Sequence, residues 1–412
     1  MFVPSIPRKR PASVPRLFRE AAGGALHGTL SEGDAVGAFE AALSARLGGH
    51  EVAAVSSGRV ALLFVLEALG VSPGATLLLS SYNASCVPNI LIAAGYKLRF
   101  LDIREDTLHI DPAELPDRAG PEIGALILTH IEGSPAPVGD FLPWARRHGV
   151  PLVEDAAHAL GAALDGAPVG TLGDGAIFSL GRGKMLNTLG GGVAALPPGP
   201  AAKLLRARVD ALPAPRPGGL AQAVITEGVV ELGTHPWLFG AVGLPAMRIS
   251  RRLGQDPLSA LFEDSKEAMR EVPRGMLRRL SNLQARFGLE AMAGFDEALR
   301  RRQENAAALI EALAGRALVQ QSARGAAPAW LELTLQVEDR ARFQETMLAR
   351  RVDTQRTWMD ACHALPAFAD PQQPPCPVAA RVAARAVYLP TYPSLSEGAR
   401  DHLIEATLGA LA

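Results

Sequence analysis

The sequence predicts an α/β fold: a large domain built on a mostly parallel sheet, followed by a smaller α+β C-terminal domain. Two observations point to the large domain and one to the small. Up to about residue 200, short apolar runs alternate with helix-length stretches. Each run is closed by Gly, Pro or a polar turn, as buried strands are. Beyond Pro197 the texture changes to Pro- and Gly-rich segments, a long helical pattern and one further strand. Strands alternating with helices give a parallel sheet covered on both faces.

The strands are expected at Val52–Ser57, Thr76–Ser81, Leu98–Ile103, Ala125–His130, Pro151–Ala156 and Gly175–Leu180. Helices between them are expected at Arg59–Leu69, Val87–Ala94 and Phe141–Arg147. A partly helical insertion occupies about 200–273 and carries Trp237 and Phe239, read first as extra core packing. A helical pattern then runs from Leu277 to Leu313, and its Arg300, Arg301 and Arg302 are expected on a solvated face. A strand at Trp330–Val337 and a helix around Ala341–Arg350 complete the small domain. The expected division is 1–280 for the large domain and 281–412 for the small one.

Composition excludes several classes. The chain has 412 residues, 48% hydrophobic and 20% charged, which suits a folded globular protein and not a disordered one. A net charge of −1 gives no global attraction to nucleic acid or acidic lipid. Cys86, Cys362 and Cys376 are too few and scattered for a disulfide framework or a zinc site, so no metal is expected. The N-terminal stretch lacks the apolar run of a signal peptide. The most apolar long region, Gly218 to Ile249, is broken by Glu227, Glu231, His235, Pro236 and Arg248, too often for a membrane span. A soluble cytoplasmic protein is expected. Arg8, Lys9 and Arg10, set beside prolines, read as a flexible arm rather than a binding patch.

Ligands of parallel sheets bind beyond the carboxyl ends of the strands, and three such ends carry polar groups. At Ser56–Leu62 (SSGRVAL) a strand meets a helix through Ser-Ser-Gly, whose unpaired N–H groups suit an anion; many such turns bind nothing. At Val153–Ala159 (VEDAAHA) an acidic pair ends a buried strand, which is costly without compensation. A protonated ring nitrogen would compensate it; a helix cap is the plainer alternative. At Phe178–Gly192 (FSLGRGKMLNTLGGG) a Gly-punctuated loop carries one lysine, Lys184, whose amine could attack a carbonyl or simply face solvent. The three features fall at one edge of one sheet, as an aldehyde cofactor with a phosphate tail and a ring nitrogen requires.

These segments resemble the DegT/DnrJ/StrS aminotransferases, pyridoxal-phosphate enzymes of which most aminate keto-sugar nucleotides. VSSGRVALLFVLEALGVSPG, FLDIREDTLHIDP, LTHIEGSPAPV, PLVEDAAHALGA, GTLGDGAIFSLGRGKMLNTLGGG, RRLSNLQARFGLE and VYLPTYPSLSE resemble the family's landmarks in order, from about Leu30 to the C-terminus. The resemblance implies the aspartate-aminotransferase-like fold (pyridoxal-phosphate fold type I) and pyridoxal 5′-phosphate as cofactor. It further implies a Schiff base on Lys184, with Asp155 against the pyridine nitrogen and His158 near the ring. Ser179 and the backbone of Gly58 and Arg59 would hold the phosphate. An amino donor such as glutamate and a nucleotide-linked keto-sugar acceptor are implied as small-molecule substrates, within a homodimer.

The chain departs from the family pattern in several places. Arg59 stands where threonine usually donates to phosphate. Ala84 replaces the aromatic ring that stacks on the cofactor, a task left to Tyr82 or His158. Leu277 and Gly191 replace an asparagine and an aspartate, and the segment after Pro200 is long. Two other readings are compatible with these departures: another pyridoxal enzyme of the same fold, dehydratase-like or lyase, and a non-catalytic relative acting as scaffold or regulator. Family dehydratases usually carry histidine in place of Lys184, which speaks against that type.

Overall fold

The computed structural model describes residues 5–10, 14–117, 120–252 and 267–412. A seven-stranded sheet forms from β1 (Glu51–Val55), β2 (Thr76–Ser80), β3 (Lys97–Leu101), β4 (Ile123–Thr129), β5 (Leu152–Asp155), β6 (Gly175–Ser179) and β7 (Gly192–Leu196). Its order is β1-β7-β6-β5-β4-β2-β3. The pairs β2–β3, β2–β4, β4–β5 and β5–β6 are parallel, whereas β7 runs antiparallel to both β1 and β6. The mostly parallel α/β sheet expected from the sequence is therefore present. Each of the six anticipated strands is there.

The seventh strand, β7, was hidden in the sequence behind a run of glycines. It reverses the chain between β1 and β6, so Gly190–Gly192 arrive at the edge where those strands end. Ser57 forms a bridge with Gly191 there. A Cβ on Gly192 would lie 2.2 Å from the Gly58 nitrogen and the Ser57 carbonyl carbon, so only glycine permits this approach.

The helix Gly58–Ala68 (GRVALLFVLEA) is apolar almost all round and is accordingly buried, with Val60–Leu66 packed beneath the sheet. A second sheet of four strands contains β8 (Leu318–Val319), β9 (Leu333–Gln336), β10 (Gln355–Arg356) and β11 (Ala386–Leu389), in the order β8-β9-β11-β10. A separate apolar cluster including Leu333, Leu335, Val387 and Leu403 surrounds it. The long helical pattern divides at Gly294 into helices Asn282–Ala293 and Phe295–Leu313. Ser281 and Gln284 form a reciprocal capping box at its start. Phe295 packs with the large sheet's cluster, and Ala306, Leu309 and Leu313 with the small one's, so a single helix joins the two.

Two sequence expectations change. The arm at Arg8–Arg10 is docked rather than flexible. Ile6 pairs with Val352; Arg8 donates to both Asp353 carboxylate oxygens at 2.6 and 2.9 Å; Lys9 lies 3.2 Å from Glu332. The acids that pair with Arg8 and Lys9 here, Asp353 and Glu332, lie more than 300 residues away, which local sequence does not reveal. The arginine run divides as well. Arg300 and Arg301 face solvent and pair with Glu297, but Arg302 turns inward and donates to the Leu331 carbonyl.

The insertion contributes helices Pro200–Asp210, Pro217–Gly233 and Leu244–Arg252. Phe239 is core packing, against Leu244, Met247 and Leu348, and Trp237 is exposed. Residues 253–266 of the expected insertion lie outside the described residues.

Candidate active site

A cavity of about 360 Å³ opens at the carboxyl edge of the large sheet. It is lined by Ser57, Gly58 and Arg59 after β1, Asp155 and His158 after β5, and Ser179 at the end of β6. Lys184 and Gly191 add the loop between β6 and β7, and Arg356, Trp358 and Asp360 enter from the small sheet's side. Six of the seven residues singled out in the sequence thus share one cleft: Gly58, Arg59, Asp155, His158, Ser179 and Lys184. Tyr82 is not among them. It is fully buried, and its hydroxyl bonds to Thr357 at 2.8 Å.

The first wall follows from a helix start. Ser57 caps the helix by accepting from the Val60 amide, and the first-turn residues Gly58 and Arg59 line the cleft. Ser179 sits beside Gly58, close enough that a Cβ on the glycine would touch the serine's Cβ at 3.5 Å. Helix dipole, amides, hydroxyl and guanidinium gathered at one end could hold an anion.

The acidic pair separates onto opposite faces of β5. Glu154 faces away from the cleft and accepts from the Gly170, Leu172 and Gly173 amides and from His130. Burial opposes its charge, but the His130 and backbone bonds win and hold its carboxyl below the usual range. Asp155 faces the cleft. Burial raises its pKa, against the pull of the Ala157 amide and the charge of Lys184. An acid in that position gains from a cationic neighbour.

Lys184 lies on a loop anchored from outside the sheet. Its amine stands 4.9 Å from the centroid of Trp358. On either side of it, Arg182 and Asn187 donate to the two oxygens of Glu227, an almost fully buried residue of the insertion helix Pro217–Gly233. That helix, read from the sequence as packing, thereby fixes the lysine loop.

Sequence reasoning missed Lys9 and Glu132, which stand beside the cleft around Trp358. Lys9 brings a second amine 3.2 Å from the Trp358 centroid. Burial lowers it to about 8, Glu332 opposing and Lys184 assisting. Glu132, wholly buried, adopts φ 50° in the left-handed region, which strains a residue with a side chain. It accepts from Trp358 at 3.0 Å and Tyr388 at 2.5 Å, and burial pushes it up to about 7. His158 stands 3.6 Å from Glu132 with its ring 5.8 Å from that of Trp358. Burial, then Lys184 and Lys9, hold His158 well below its ordinary value, so it is neutral near pH 7. His363, near in sequence, bonds instead to Ser81 at 2.6 Å.

A lysine-bearing loop and a buried strand-end carboxylate around one cleft, on a sheet of this order, define an α/β protein of pyridoxal-phosphate fold type I. The chain belongs to the DegT/DnrJ/EryC1/StrS aminotransferase family, whose model matches residues 17–207 and 246–407. The unmatched stretch between contains Glu227. Among curated proteins, it is 35% identical over 166 residues to the spore coat polysaccharide biosynthesis protein SpsC of Bacillus subtilis (strain 168). That match covers 40% of this chain and 43% of the relative. It is 34% identical over 157 residues to Protein MosB of Rhizobium meliloti, covering 38% and 31%. The matched segments therefore span less than half of these relatives. Among solved structures, the sugar aminotransferase CalS13 from Micromonospora echinospora superposes with a TM-score of 0.75 at 25% identity, over 98% of this chain and 99% of that one. The putative sugar aminotransferase Spr1654 from Streptococcus pneumoniae in its PMP form gives 0.76 at 17% identity, over 99% and 98%, a likeness of fold. No described helix is long and apolar enough to cross a membrane.

Proposed function

We propose that this protein is a pyridoxal-phosphate-dependent aminotransferase, moving an amino group from an amino acid, glutamate in the first instance, to a nucleotide-linked keto-sugar. The observation that carries this reading is the placement of Lys184 and Asp155 on one cleft, with the lysine's charge acting on the buried carboxylate.

The residues fit the cofactor. Asp155 is a buried acid whose charge a protonated ring nitrogen would compensate, and the cleft's other end offers amides, Ser179 and Arg59 for a phosphate. When bound, pyridoxal phosphate supplies an aldehyde that condenses with amines and a cationic ring that accepts electrons. The chain's own part is then positional and acid–base. Asp155 holds the proton on the ring nitrogen by Coulomb attraction. Lys184 Nζ carries the proton at the donor's α-carbon. Neutral His158 and the ring of Trp358 would lie against the cofactor ring, in place of the aromatic residue that Ala84 replaces. Arg356 and Asp360, which line the cleft at the small-sheet rim, would meet the acceptor.

The acceptor class draws support from relatives: one superposing structure is described as DesI in the presence of its TDP-sugar product, at 24% identity and a TM-score of 0.74. A homodimer, as in the family resemblance, and a division into large (1–280) and small (281–412) domains belong to the same proposal.

Purified protein incubated with pyridoxal phosphate is expected to show a visible absorbance band that Lys184→Ala removes. Adding glutamate should convert the band to the amine-form spectrum and release 2-oxoglutarate. A protein that stays colourless refutes the cofactor reading; one that is coloured but silent with every amino donor refutes transamination.

A further inference from the structure

Beside the main cavity lies a small annex, bounded by the docked N-terminal arm, the lysine loop and the start of β9's strand region. Its walls hold five cationic side chains, Arg8, Lys9, Arg10, Arg182 and Arg302, against one carboxylate, Glu332. Three of the cations are engaged by acids: Arg8 by Asp353, Arg182 by Glu227, and Lys9 by Glu332, which also acts on Arg302. Arg10 and Arg302 bring two further positive charges that these three pairs do not balance. A low-dielectric pocket with surplus positive charge selects an anion.

The annex and the cleft share a wall. Arg182 lines both, and Lys9 and Lys184 lie over the same Trp358 ring, at 3.2 and 4.9 Å from its centroid. The two amines can be no farther apart than the sum of those distances. That is within the reach of a dicarboxylic amino acid whose nitrogen is at Lys184. The annex volume of about 30 Å³ is close to two water-sized positions, the room that two carboxylate oxygens need. A phosphate or pyrophosphate needs more. Gly183 lines the annex with φ +74°, and a Cβ there would stand 3.3 Å from the Lys9 amine and crowd it.

We propose that this annex binds the side-chain carboxylate of the amino donor, with Arg10 and Arg302 as its specificity-determining residues and Lys9 at its mouth. The inference rests on the transaminase reading and deepens it: the donor is an acidic amino acid because the chain builds a second anion site whose mouth, at Lys9, shares the Trp358 ring with Lys184. A charge-assisted bond lost from such a site lowers the specificity constant roughly ten- to hundredfold.

The test is the donor half-reaction of the holoenzyme, followed by the loss of the visible band, with glutamate and with alanine. In Arg10→Gln and Arg302→Gln the ratio of kcat/KM for glutamate to that for alanine is expected to fall about ten- to hundredfold. Glutarate should compete with glutamate in the parent enzyme, and less well in the variants. Arg302 also supports the Leu331 carbonyl, so Arg10→Gln keeps the test decisive if Arg302→Gln fails to fold. An unchanged ratio in Arg10→Gln with the band intact overturns the annex proposal, as does competition by inorganic phosphate but not by glutarate. Absence of the band, or of any half-reaction in the parent, strikes instead at the transaminase reading.

Discussion

The adjacent carboxylates Glu154 and Asp155 offer a sharp separation of stability from function. Glu154 Oε1 accepts from the Leu172 and Gly173 amides at 2.7 and 2.8 Å, and Oε2 accepts from the Gly170 amide at 2.8 Å and meets His130 Nε2 at 3.1 Å. His130 Nδ1 accepts from the Ala136 amide, so its proton sits on Nε2 and points at Glu154. Glu154→Gln can keep the first oxygen's bonds, but its NH2 group faces two donors. Two buried donors are then orphaned at about 1–3 kcal/mol each, a cost of about 2–6 kcal/mol in all. Urea denaturation followed by far-UV circular dichroism measures it. Because Glu154 is held below its ordinary pKa, its contribution is present above the unfolded-state value near 4.5 and disappears as pH falls through the lower folded one. Glu154→Gln should therefore be less destabilising at pH 3 than at pH 7. Asp155→Asn should do the reverse. It removes a carboxyl whose burial already disfavours its charge, leaving stability near the parent's, but it should displace the visible band and lower the rate of the glutamate half-reaction by more than tenfold, the loss of roughly 1.4 kcal/mol or more. Equal stability losses in the two variants would refute the assignment of faces on β5.

Glu132 titrates in the opposite sense to Glu154. Burial raises it to about 7, so its contribution is complete below about 4.5 and is lost as pH rises through 7; Glu132→Gln should flatten the change in urea stability between pH 5 and 8, and an unaltered slope would contradict it. Gly192→Ala drives a methyl into the Ser57–Gly58 backbone and should cost about 3 kcal/mol along with affinity for pyridoxal phosphate; an unchanged Tm would show that the contact does not exist. Asp353→Ala leaves the guanidinium groups of Arg8 and Arg251 without their shared carboxylate, and a loss of about 3–5 kcal/mol with a shift in tryptophan emission is expected; emission identical to the parent's would mean that the arm does not depend on this pair.

Much of the large sheet was legible because each strand is a short apolar run closed by turn residues, and period and punctuation are local properties. The site residues at strand ends were legible for the same reason: Asp155, Ser179 and Lys184 follow such runs directly. β7 escaped because Val193, Ala194, Ala195 and Leu196 follow three glycines that read as loop, and only its partners on both sides make it a strand. Tyr82 was assigned to the cleft as a substitute for the aromatic ring that Ala84 replaces, yet the short Tyr82–Ala84 strand pairs with Met359–Ala361, and the tyrosine turns into the core beneath. Lys9 and Glu132 were illegible as site residues, and Trp358 legible only as lying in a region of possible acceptor contacts, because each is defined by a neighbour far along the chain. A basic tripeptide beside prolines has the composition of a solvated arm until Asp353 and Glu332 are known to cover it.

Those three residues also explain why the lysine's geometry is a property of the whole chain. Trp358 carries both amines on its ring, while its indole N–H is fixed by Glu132, after β4 of the large sheet. Glu132 is held in turn by Tyr388 of β11, whose hydroxyl also meets Thr357, and Thr357 bonds Tyr82 after β2. The chain of contacts therefore crosses from one sheet to the other and back. Sliding the two sheets apart would break buried bonds to a carboxylate that burial already strains, so the cost falls on the residues that orient Lys184 and Trp358. Seen this way, the strained φ of Glu132 is not incidental: it is the backbone conformation that turns its carboxylate toward both partners at once.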